Sequence, residues 1–403
     1  MAAQLPSLPA RAEVVVAGGG MIGLCVAFEL ARLGLPVVVL EQDRIGGRAA
    51  GAVAAGMLAP AAEAEHEDEP MVQLALESQR LYPSFVAELE QLSGLSCGLV
   101  QEGSLLVALT RDDVEEWLHL QAFQQRLGLA SRWLEADEVL AMEPQLSPRV
   151  LGALFCPQDY QVDPRAMLKA LAVAVRRLGG QVLEGARVTG FETQGGRLHG
   201  VVGRWQAPGP QDGAQEGTPF SLPCRMAVLA CGAWSSYELD WPGPPLGVRP
   251  VKGQLVRLRG PALLRHVVRT PRGYLVPRPN GELVVGATME EQGFDATPTA
   301  GAIMDLLWNA RLVVPAVYDL AWSEVNVGFR PACRDQAPVI GPAGVEGLFV
   351  ASGHFRHGVL LAPATARHLA RWMVEASEPP LLAAFSPLRA SLAAAADGRE
   401  TGP

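Results

Sequence analysis

A glycine-rich turn between an apolar strand and an apolar helix constrains this chain more than any other feature. The stretch from Glu13 to Glu41 reads EVVVAGGGMIGLCVAFELARLGLPVVVLE and spaces Gly18, Gly20 and Gly23 as G-x-G-x-x-G. In a strand–turn–helix unit the first glycine permits the tight turn, the second lets a pyrophosphate approach the backbone, and the third allows close helix packing. The helix N-terminus then offers free N–H groups and a positive dipole end to phosphates. The stretch therefore predicts a dinucleotide site.

Glu41 narrows the choice of dinucleotide. It ends the second predicted strand, about 20 residues after the turn, where a carboxylate accepts ribose hydroxyls. A carboxylate there disfavours the 2′-phosphate of NADP, although Arg44 lies nearby, so NAD and FAD both stay open on this motif. No second G-x-G-x-x-G follows a predicted strand. If FAD occupies the site, electrons would therefore come from the substrate itself and leave to oxygen or another acceptor.

Composition limits the protein class. A length of 403 residues suggests two domains built from non-contiguous segments, and 49% apolar residues suffice for their cores. The formal charge of −9 disfavours a nucleic-acid partner, which would need basic patches. Six scattered cysteines without a C-x-x-C favour free thiols in a reducing cytoplasm. No run of about 18 uncharged apolar residues follows the first turn, so we expect no membrane span.

The remaining pattern predicts a mixed α/β chain. Asp163 before Pro164 predicts an N-capped helix start. The predicted helices cover 71–93, 111–127, 136–142, 163–178, 298–312 and 359–376. The predicted strands are two within 97–109, then 150–156, 181–183, 187–192, 198–203, 226–230, a closely spaced antiparallel group over 248–285, 320–328 and 348–353. Residues 1–12 and the tail after Pro387 are predicted to be loose, and 204–220 to form an exposed hairpin loop.

The last strand–glycine–helix unit, residues 348–376, repeats the form of the first. In a doubly wound sheet ligands bind at the carboxyl ends of the strands, so both glycine turns are expected to face one ligand. This predicts an α/β fold with a bipartite Rossmann-like nucleotide-binding domain, interrupted by a substrate domain with a mostly antiparallel sheet. The predicted nucleotide-binding segments are 1–88, 150–247 and 331–403, and the predicted substrate-binding segments are 89–149 and 248–330.

Six further stretches carry a family resemblance. They are GGRAAGAVAAGMLAP from Gly46, PVKGQ from Pro250, GYLVPR from Gly273, GATM from Gly286, GFRP from Gly328 and GHFRHGVLLAP from Gly353. With the first glycine turn they resemble the D-amino-acid oxidase family, and within it the glycine oxidases of thiamine biosynthesis, over nearly the whole chain. The resemblance implies non-covalent FAD and oxidative deamination of glycine by oxygen through hydride transfer to flavin N5. Sarcosine and D-alanine are the other substrates that it implies.

The resemblance also implies a substrate pocket. Arg330 resembles the arginine that grips the substrate carboxylate, and a planar guanidinium can hold a carboxylate through two parallel hydrogen bonds. Tyr274 and Met289 resemble residues that line the pocket. Without the resemblance, Tyr274 fits a core position equally well, and a core position is the better interpretation of Met289. Arg356, in the last glycine turn, would face both flavin and substrate. No side chain in these motifs is implied as a general acid or base.

The cofactor would be held by the first turn, the end of the second strand, the small-residue stretch and the last turn. The residues implied are Gly18, Gly20, Met21, Ile22, Gly23, Glu41, Gln42, Ala49, Ala50, Ala55, Gly56, Met57, Val188, His354, Phe355, Arg356, His357, Gly358, Val359 and Leu360. Two departures stand out, because relatives often have a hydroxyl at Ala49 or Ala50 and an asparagine at His357. His354 and His357 lack the carboxylate partner of a zinc site, so no metal is expected.

Other functions stay open on the sequence. A D-amino-acid or sarcosine oxidase, or a dehydrogenase that passes electrons to a membrane quinone, would share these motifs. The lack of a basic amphipathic segment argues against membrane docking. Related domains occur in flavin-dependent tRNA-modifying enzymes, but the acidic charge disfavours that class. A nucleotide-binding scaffold without activity is the third alternative. The sequence leaves the oligomeric state open, a homo-oligomer included.

Overall fold

The structure is a computed structural model. It describes residues 8–64, 69–205, 217–237, 239–389 and 392. Most of the loop predicted over 204–220, and most of the loose segments predicted at both ends, lie outside these residues. None of the described helices is long and apolar enough to cross a membrane.

The predicted helices are all present. The helices of the described chain are α1 (Met21–Arg32), α2 (Ala50–Val53), α3 (Glu69–Ser93), α4 (Arg111–Arg126), α5 (Ala136–Met142), α6 (Pro164–Arg177), α7 (Ala300–Val313) and α8 (Ala362–Glu375). Only α2, a single turn in the small-residue stretch, was not predicted.

The strands follow the predicted order with several differences. They are β1 (Ala12–Ala17), β2 (Val37–Glu41), β3 (Met57–Leu58), β4 (Ser104–Ala108), β5 (Arg132–Glu135), β6 (Gly152–Cys156), β7 (Tyr160–Gln161), β8 (Gln181–Glu184), β9 (Ala186–Gln194), β10 (Arg197–Trp205), β11 (Thr218–Leu229), β12 (Arg249–Arg259), β13 (Val267–Thr270), β14 (Gly273–Pro277), β15 (Glu282–Gly286), β16 (Ala321–Ala332), β17 (Val339–Pro342) and β18 (Leu348–Ser352). The prediction of two strands within 97–109 was wrong, because before β4 only Val100 pairs, in an isolated bridge to Gln161. Strands β3, β5, β7 and β17 were not predicted.

The first sheet has the parallel core that the glycine turn predicted. Its strand order is β17-β18-β11-β1-β2-β8, with β18, β11, β1, β2 and β8 parallel and β9 and β10 attached as an antiparallel extension. Val14 and Val16 of β1 face the helices α1, α3, α6 and α8. Val15 and Ala17 face the extension. Burial on both faces explains why β1 and β2 are continuous apolar runs.

The second sheet is mostly antiparallel, in the order β16-β12-β15-β14-β13-β4-β6-β5, with one parallel pair between β13 and β4. Helices α5 and α7 cover one of its faces. On the other face Ala55, from the small-residue stretch, packs against Val276 and Val284. The two sheets confirm the α/β fold class. The domain boundaries stay a prediction, and β6, in a segment assigned to nucleotide binding, pairs in the second sheet.

The sheet order brings both glycine turns to one edge. Strand β11 pairs with β1 on one side and with β18 on the other, all three parallel. The turn after β1 and the turn after β18 therefore lie at the same carboxyl edge, as the repeated strand–glycine–helix pattern predicted.

The N-cap predicted at Asp163 for helix α6 can be tested. The Asp163 carboxylate accepts hydrogen bonds from the backbone N–H of Arg165 (2.9 Å) and Ala166 (3.2 Å), as predicted for an N-cap. We expect Asp163→Ala to destabilise the protein by about 1 kcal/mol, because these two N–H groups lose their partner. Thermal unfolding measures the effect, with Asp163→Asn as the control that keeps an accepting oxygen. Equal midpoints for the two variants would contradict the capping role.

Candidate active site

A cavity of about 460 Å³ lies at the carboxyl edge of the first sheet, against the open face of the second. This volume is in the range of small-molecule binding sites. Every residue that the sequence predicted for cofactor or substrate lines the cavity, except Gly23. Gly23 lies behind the turn, where an added Cβ would come within 1.9 Å of the Gly18 carbonyl oxygen. Its contribution is close packing of α1, and the binding roles of the others stay predictions.

The first turn presents an open helix terminus to the cavity. Gly18 has φ +109°, and an added Cβ there would lie 2.4 Å from the carbonyl oxygen of Ala230. Gly20 is the N-cap of α1 and supplies no side-chain cap. A Cβ on Gly20 would meet nothing closer than the Ala49 Cβ at 4.0 Å, so it would project into open space. The free N–H groups of α1 therefore point to a place where an anion fits.

The small-residue stretch adds a second uncapped terminus. Helix α2 begins after Ala49, which makes no side-chain capping bond. Ala49 and Ala50 have no hydroxyl, so phosphate binding by the backbone N–H groups of this segment stays a prediction, and Arg48 lines the cavity beside them.

Glu41 is held in a fixed orientation beside the turn. Its Oε2 accepts the Gly19 N–H at 2.7 Å, and its Oε1 accepts the Asp43 N–H at 2.8 Å. Burial raises the pKa of the Glu41 carboxyl, although both hydrogen bonds act in the opposite direction. The carboxylate lines the cavity at the end of β2, which fits the predicted role as an acceptor of ribose hydroxyls.

The charges around the cavity suit an anionic ligand. Two carboxylates, from Glu41 and Glu63, stand against the arginines Arg48, Arg187, Arg269, Arg330 and Arg356. The lining thus carries three more positive than negative charges, although the chain as a whole has a formal charge of −9. A dinucleotide diphosphate carries two negative charges, and an amino-acid carboxylate carries one. The residues present therefore fit FAD together with a small amino acid, because buried charges need partners.

The second sheet supplies Arg330. The sequence placed this residue just after a strand ending at 328, which was wrong, because β16 continues to Ala332. The Arg330 Nη1 donates to the carbonyl oxygens of Thr288 (3.0 Å) and Lys252 (3.4 Å). Among the described residues no carboxylate forms an ion pair with it. The guanidinium therefore enters the cavity with its charge uncompensated.

Two glycines make room for the predicted substrate residues. An added Cβ on Gly253 would lie 2.3 Å from the Arg330 Nη1, and one on Gly286 would lie 2.6 Å from the Tyr274 ring. Burial raises the pKa of the Tyr274 phenol, with Arg330 acting against the shift. Met289 lines the cavity with 67% of its surface exposed, which places it at the rim. The sequence predicted a role in the site for neither glycine.

Two groups of residues that line the cavity were not predicted from the sequence. Trp234 and Tyr237 contact Phe294 with ring centroids 5.1 and 4.8 Å away. Glu63 binds Arg269 at 2.6 Å and His357 at 3.0 Å. Burial would raise the pKa of the Glu63 carboxyl, but the Arg269 guanidinium and His357 hold it well below its usual range. Glu63 and Arg269 are 206 residues apart, so no local pattern links them.

The described residues hold no group of three or more His, Cys, Asp or Glu side chains arranged for a metal ion. His354 and His357 line the same cavity. His354 instead faces the Thr365 hydroxyl at 3.1 Å, and burial, followed by His357, lowers its pKa to about 3.

Comparison with known proteins gives one family and several close relatives. Residues 13–372 match the family model of FAD dependent oxidoreductases named DAO. The glycine oxidase of Geobacillus kaustophilus is 34% identical over 359 residues, which cover 88% of this chain and 91% of that protein. A crystal structure of glycine oxidase from that organism superposes with a TM-score of 0.85 and covers 94% of this chain and 99% of that chain.

Two further relatives have other names. The bifunctional protein ThiO/ThiG of Trichormus variabilis is 35% identical over 378 residues, 93% of this chain. The match covers 54% of that protein, so the chain spans about half the length of this relative. The hydrogen cyanide synthase subunit HcnC of Pseudomonas aeruginosa is 32% identical over 424 aligned positions, 95% of this chain and 99% of that protein. The family match includes both glycine turns and Arg330.

Proposed function

The chain belongs to the family of FAD-dependent oxidoreductases, and we propose on this premise that it is an oxidase of glycine. The reaction converts glycine, O2 and H2O into glyoxylate, NH3 and H2O2. The glycine oxidases among its relatives support the substrate. The ThiO/ThiG relatives support a role in supplying the thiazole of thiamine.

The observation that carries this proposal is the uncompensated guanidinium of Arg330 in the FAD cavity. It lines the same cavity as Tyr274, and both residues are on the second sheet, whereas the glycine turns that also line the cavity follow strands of the first sheet. A planar guanidinium can hold a carboxylate through two parallel hydrogen bonds. A small amino acid held there by its carboxylate would present its α carbon and amine to the rest of the cavity.

The side chains and backbone of the protein bind and orient the substrate and the cofactor, whereas the bound FAD is the electron acceptor. The N-terminus of α1 and the Glu41 carboxylate hold the diphosphate and a ribose. Arg330 fixes the carboxylate of the amino acid, and the neutral phenol of Tyr274 lies next to it. The amine reacts in its neutral form, because its lone pair stabilises the iminium that develops as the α C–H bond breaks. No side chain is assigned as general acid or base. Orientation alone can contribute about 7–11 kcal/mol at its upper end.

Product analysis tests the proposal. Purified FAD-bound protein is given glycine, sarcosine or D-alanine without an added electron acceptor. We expect H2O2 and glyoxylate from glycine, in equal amounts. Activity only with an artificial acceptor would indicate a dehydrogenase instead of an oxidase. Cyanide as the product from glycine, preference for D-alanine or sarcosine, or no turnover at all would each contradict the proposal.

Gly253 gives a prediction about the shape of the pocket. In Gly253→Ala the new Cβ would overlap the Arg330 guanidinium, so the guanidinium must move. We expect kcat/KM for glycine to fall on the order of 10- to 100-fold, since a displacement of about 1 Å can have that effect. Gly301→Ala, whose Cβ meets nothing within 4 Å, is the matched control. Unchanged kinetics in Gly253→Ala would mean that the position of Arg330 does not matter.

A cytoplasmic location is part of the proposal. It is supported by the six cysteines, all of which are free thiols. Fractionation of cells tests the location, and sedimentation of the purified protein distinguishes a monomer from a homo-oligomer.

A further inference from the structure

Four side chains form a connected polar network at the last glycine turn, which we call the Glu63 network. Arg356 Nε lies 3.0 Å from His357 Nε2, and His357 Nδ1 lies 3.0 Å from Glu63 Oε2. The other carboxylate oxygen, Glu63 Oε1, accepts a hydrogen bond from Arg269 Nη1 at 2.6 Å. All four residues line the cavity.

The network spans the two sheets. Arg356 and His357 follow β18 of the first sheet, whereas Arg269 is on β13 of the second. Arg269 is the direct cross-strand neighbour of Tyr274 on β14. The network therefore connects the turn that faces the cofactor with the strands that carry the substrate pocket.

The contacts determine the protonation state of His357. The Nε–H of an arginine can only donate, so His357 Nε2 must accept and carries no proton. The neutral imidazole then has its proton on Nδ1, which donates to Glu63 Oε2. A doubly protonated ring would place an N–H against the Arg356 N–H and a positive charge beside the guanidinium. Only 4% of the His357 side chain is exposed, so water screens that repulsion weakly.

We propose that neutral His357 is a positioning residue that orients Arg356 for substrate, and that protonation of His357 breaks the hydrogen bond from Arg356 Nε. This rests on the proposed function and on the expectation from the sequence that Arg356, which lines the cavity, faces both flavin and substrate. The direction of the pH dependence follows from the contacts. The hydrogen bond from Arg356 to His357 is present when His357 is neutral, and it is lost as the pH falls and the ring is protonated. Substrate carboxylates therefore bind more weakly toward acid pH.

Other titratable groups surround His357, and their titration must be distinguished from that of His357. They are Glu63, Arg269, Arg356, His354 and Asp159. Asp159 is the main competitor, because its burial raises the pKa of its carboxyl to about 7, and Arg269 and Glu63 act on it. Helix α3 contributes apolar side chains to the small cavity beside His357, namely Met71, Val72 and Ala75.

Asparagine at position 357 is the informative replacement. Its amide oxygen can accept from Arg356 and its NH2 group can donate to Glu63, but the group does not titrate. His357→Ala removes both contacts. Asp159→Asn keeps an oxygen that can accept the Ala61 N–H, places an NH2 group that can donate to the Ser104 hydroxyl oxygen, and removes the competing titration.

The test measures KM for glycine and the affinity for acetate across the neutral and acid pH range. Acetate is a small carboxylate that cannot be oxidised at an α amine, and its binding is followed by the flavin absorbance. In the unmodified protein we expect both constants to rise toward acid pH. In His357→Asn the acid rise of the acetate constant should disappear, and in His357→Ala acetate should bind about tenfold more weakly at neutral pH than to the unmodified protein.

The outcomes separate this inference from the proposed function. If glycine is oxidised but His357→Asn keeps the acid rise, or if Asp159→Asn abolishes it, the role of His357 is refuted. Unchanged acetate binding in His357→Ala refutes it as well. If glycine is not oxidised while acetate binding follows the expected pattern, the positioning role stands and the proposed substrate is wrong.

Discussion

Replacing Arg330 with alanine should lower kcat/KM for glycine by about 30- to 5,000-fold, which corresponds to about 2–5 kcal/mol of lost transition-state binding. The variant removes the guanidinium that we propose holds the substrate carboxylate through two parallel hydrogen bonds. The Thr288 carbonyl oxygen would also lose this donor, whereas the Lys252 carbonyl oxygen still accepts from the Glu290 N–H. Steady-state kinetics with glycine measures the effect, with bound FAD verified by absorbance.

Two variants make the result specific. Arg330→Lys keeps the charge but loses the fork, so it should recover only part of the activity. Arg259→Ala removes an exposed arginine at the far end of β12, outside the cavity, and should leave kcat/KM unchanged. Near-normal kcat/KM in Arg330→Ala would mean that another group holds the carboxylate.

Replacing Gly20 with alanine should weaken FAD binding by about 100-fold or more, equivalent to about 2.7 kcal/mol. The backbone at Gly20, with φ −77° and ψ −174°, suits alanine. The new Cβ would touch no atom of the chain closer than 4.0 Å, so the fold should persist. It would instead occupy the space through which the pyrophosphate reaches the N-terminus of α1. Fluorescence titration of the apoprotein with FAD measures the affinity, and circular dichroism verifies the fold.

A neighbouring glycine separates binding from packing. In Gly23→Ala the Cβ would lie 1.9 Å from the Gly18 carbonyl oxygen, so this variant should be destabilised whether or not FAD is present. Gly20→Ala should keep the unfolding midpoint of the unmodified apoprotein. A yellow Gly20→Ala protein with unchanged FAD affinity would show that the diphosphate does not lie at this turn.

The sequence was most informative where structure follows from local chemistry. The turn at Gly18, the N-cap at Asp163 and the repeated turn before α8 each depend on residues close together in the chain, and the structure has all three. The parallel sheet then follows, because continuous apolar strands joined by helices need both faces covered.

The sequence was least informative where a contact depends on sheet register or distant pairing. Gly253 and Gly286 have their effect because β12 and β15 place them beneath Arg330 and Tyr274. Glu63 contacts His357 and Arg269, which are far from it in the chain, one after a strand of the first sheet and the other on a strand of the second. The sequence predicted His357 as a cofactor-binding residue and as a departure from an asparagine, and its contacts with Arg356 and Glu63 suggest a role that the motif alone could not.

Anaerobic titration of the FAD-bound protein with glycine tests the central claim most directly. We expect the yellow flavin absorbance to fade in proportion to the glycine added, because the bound amino acid delivers its two electrons to the cofactor. Admission of air should restore the colour and produce hydrogen peroxide. Flavin that stays fully oxidised at saturating glycine would contradict the account.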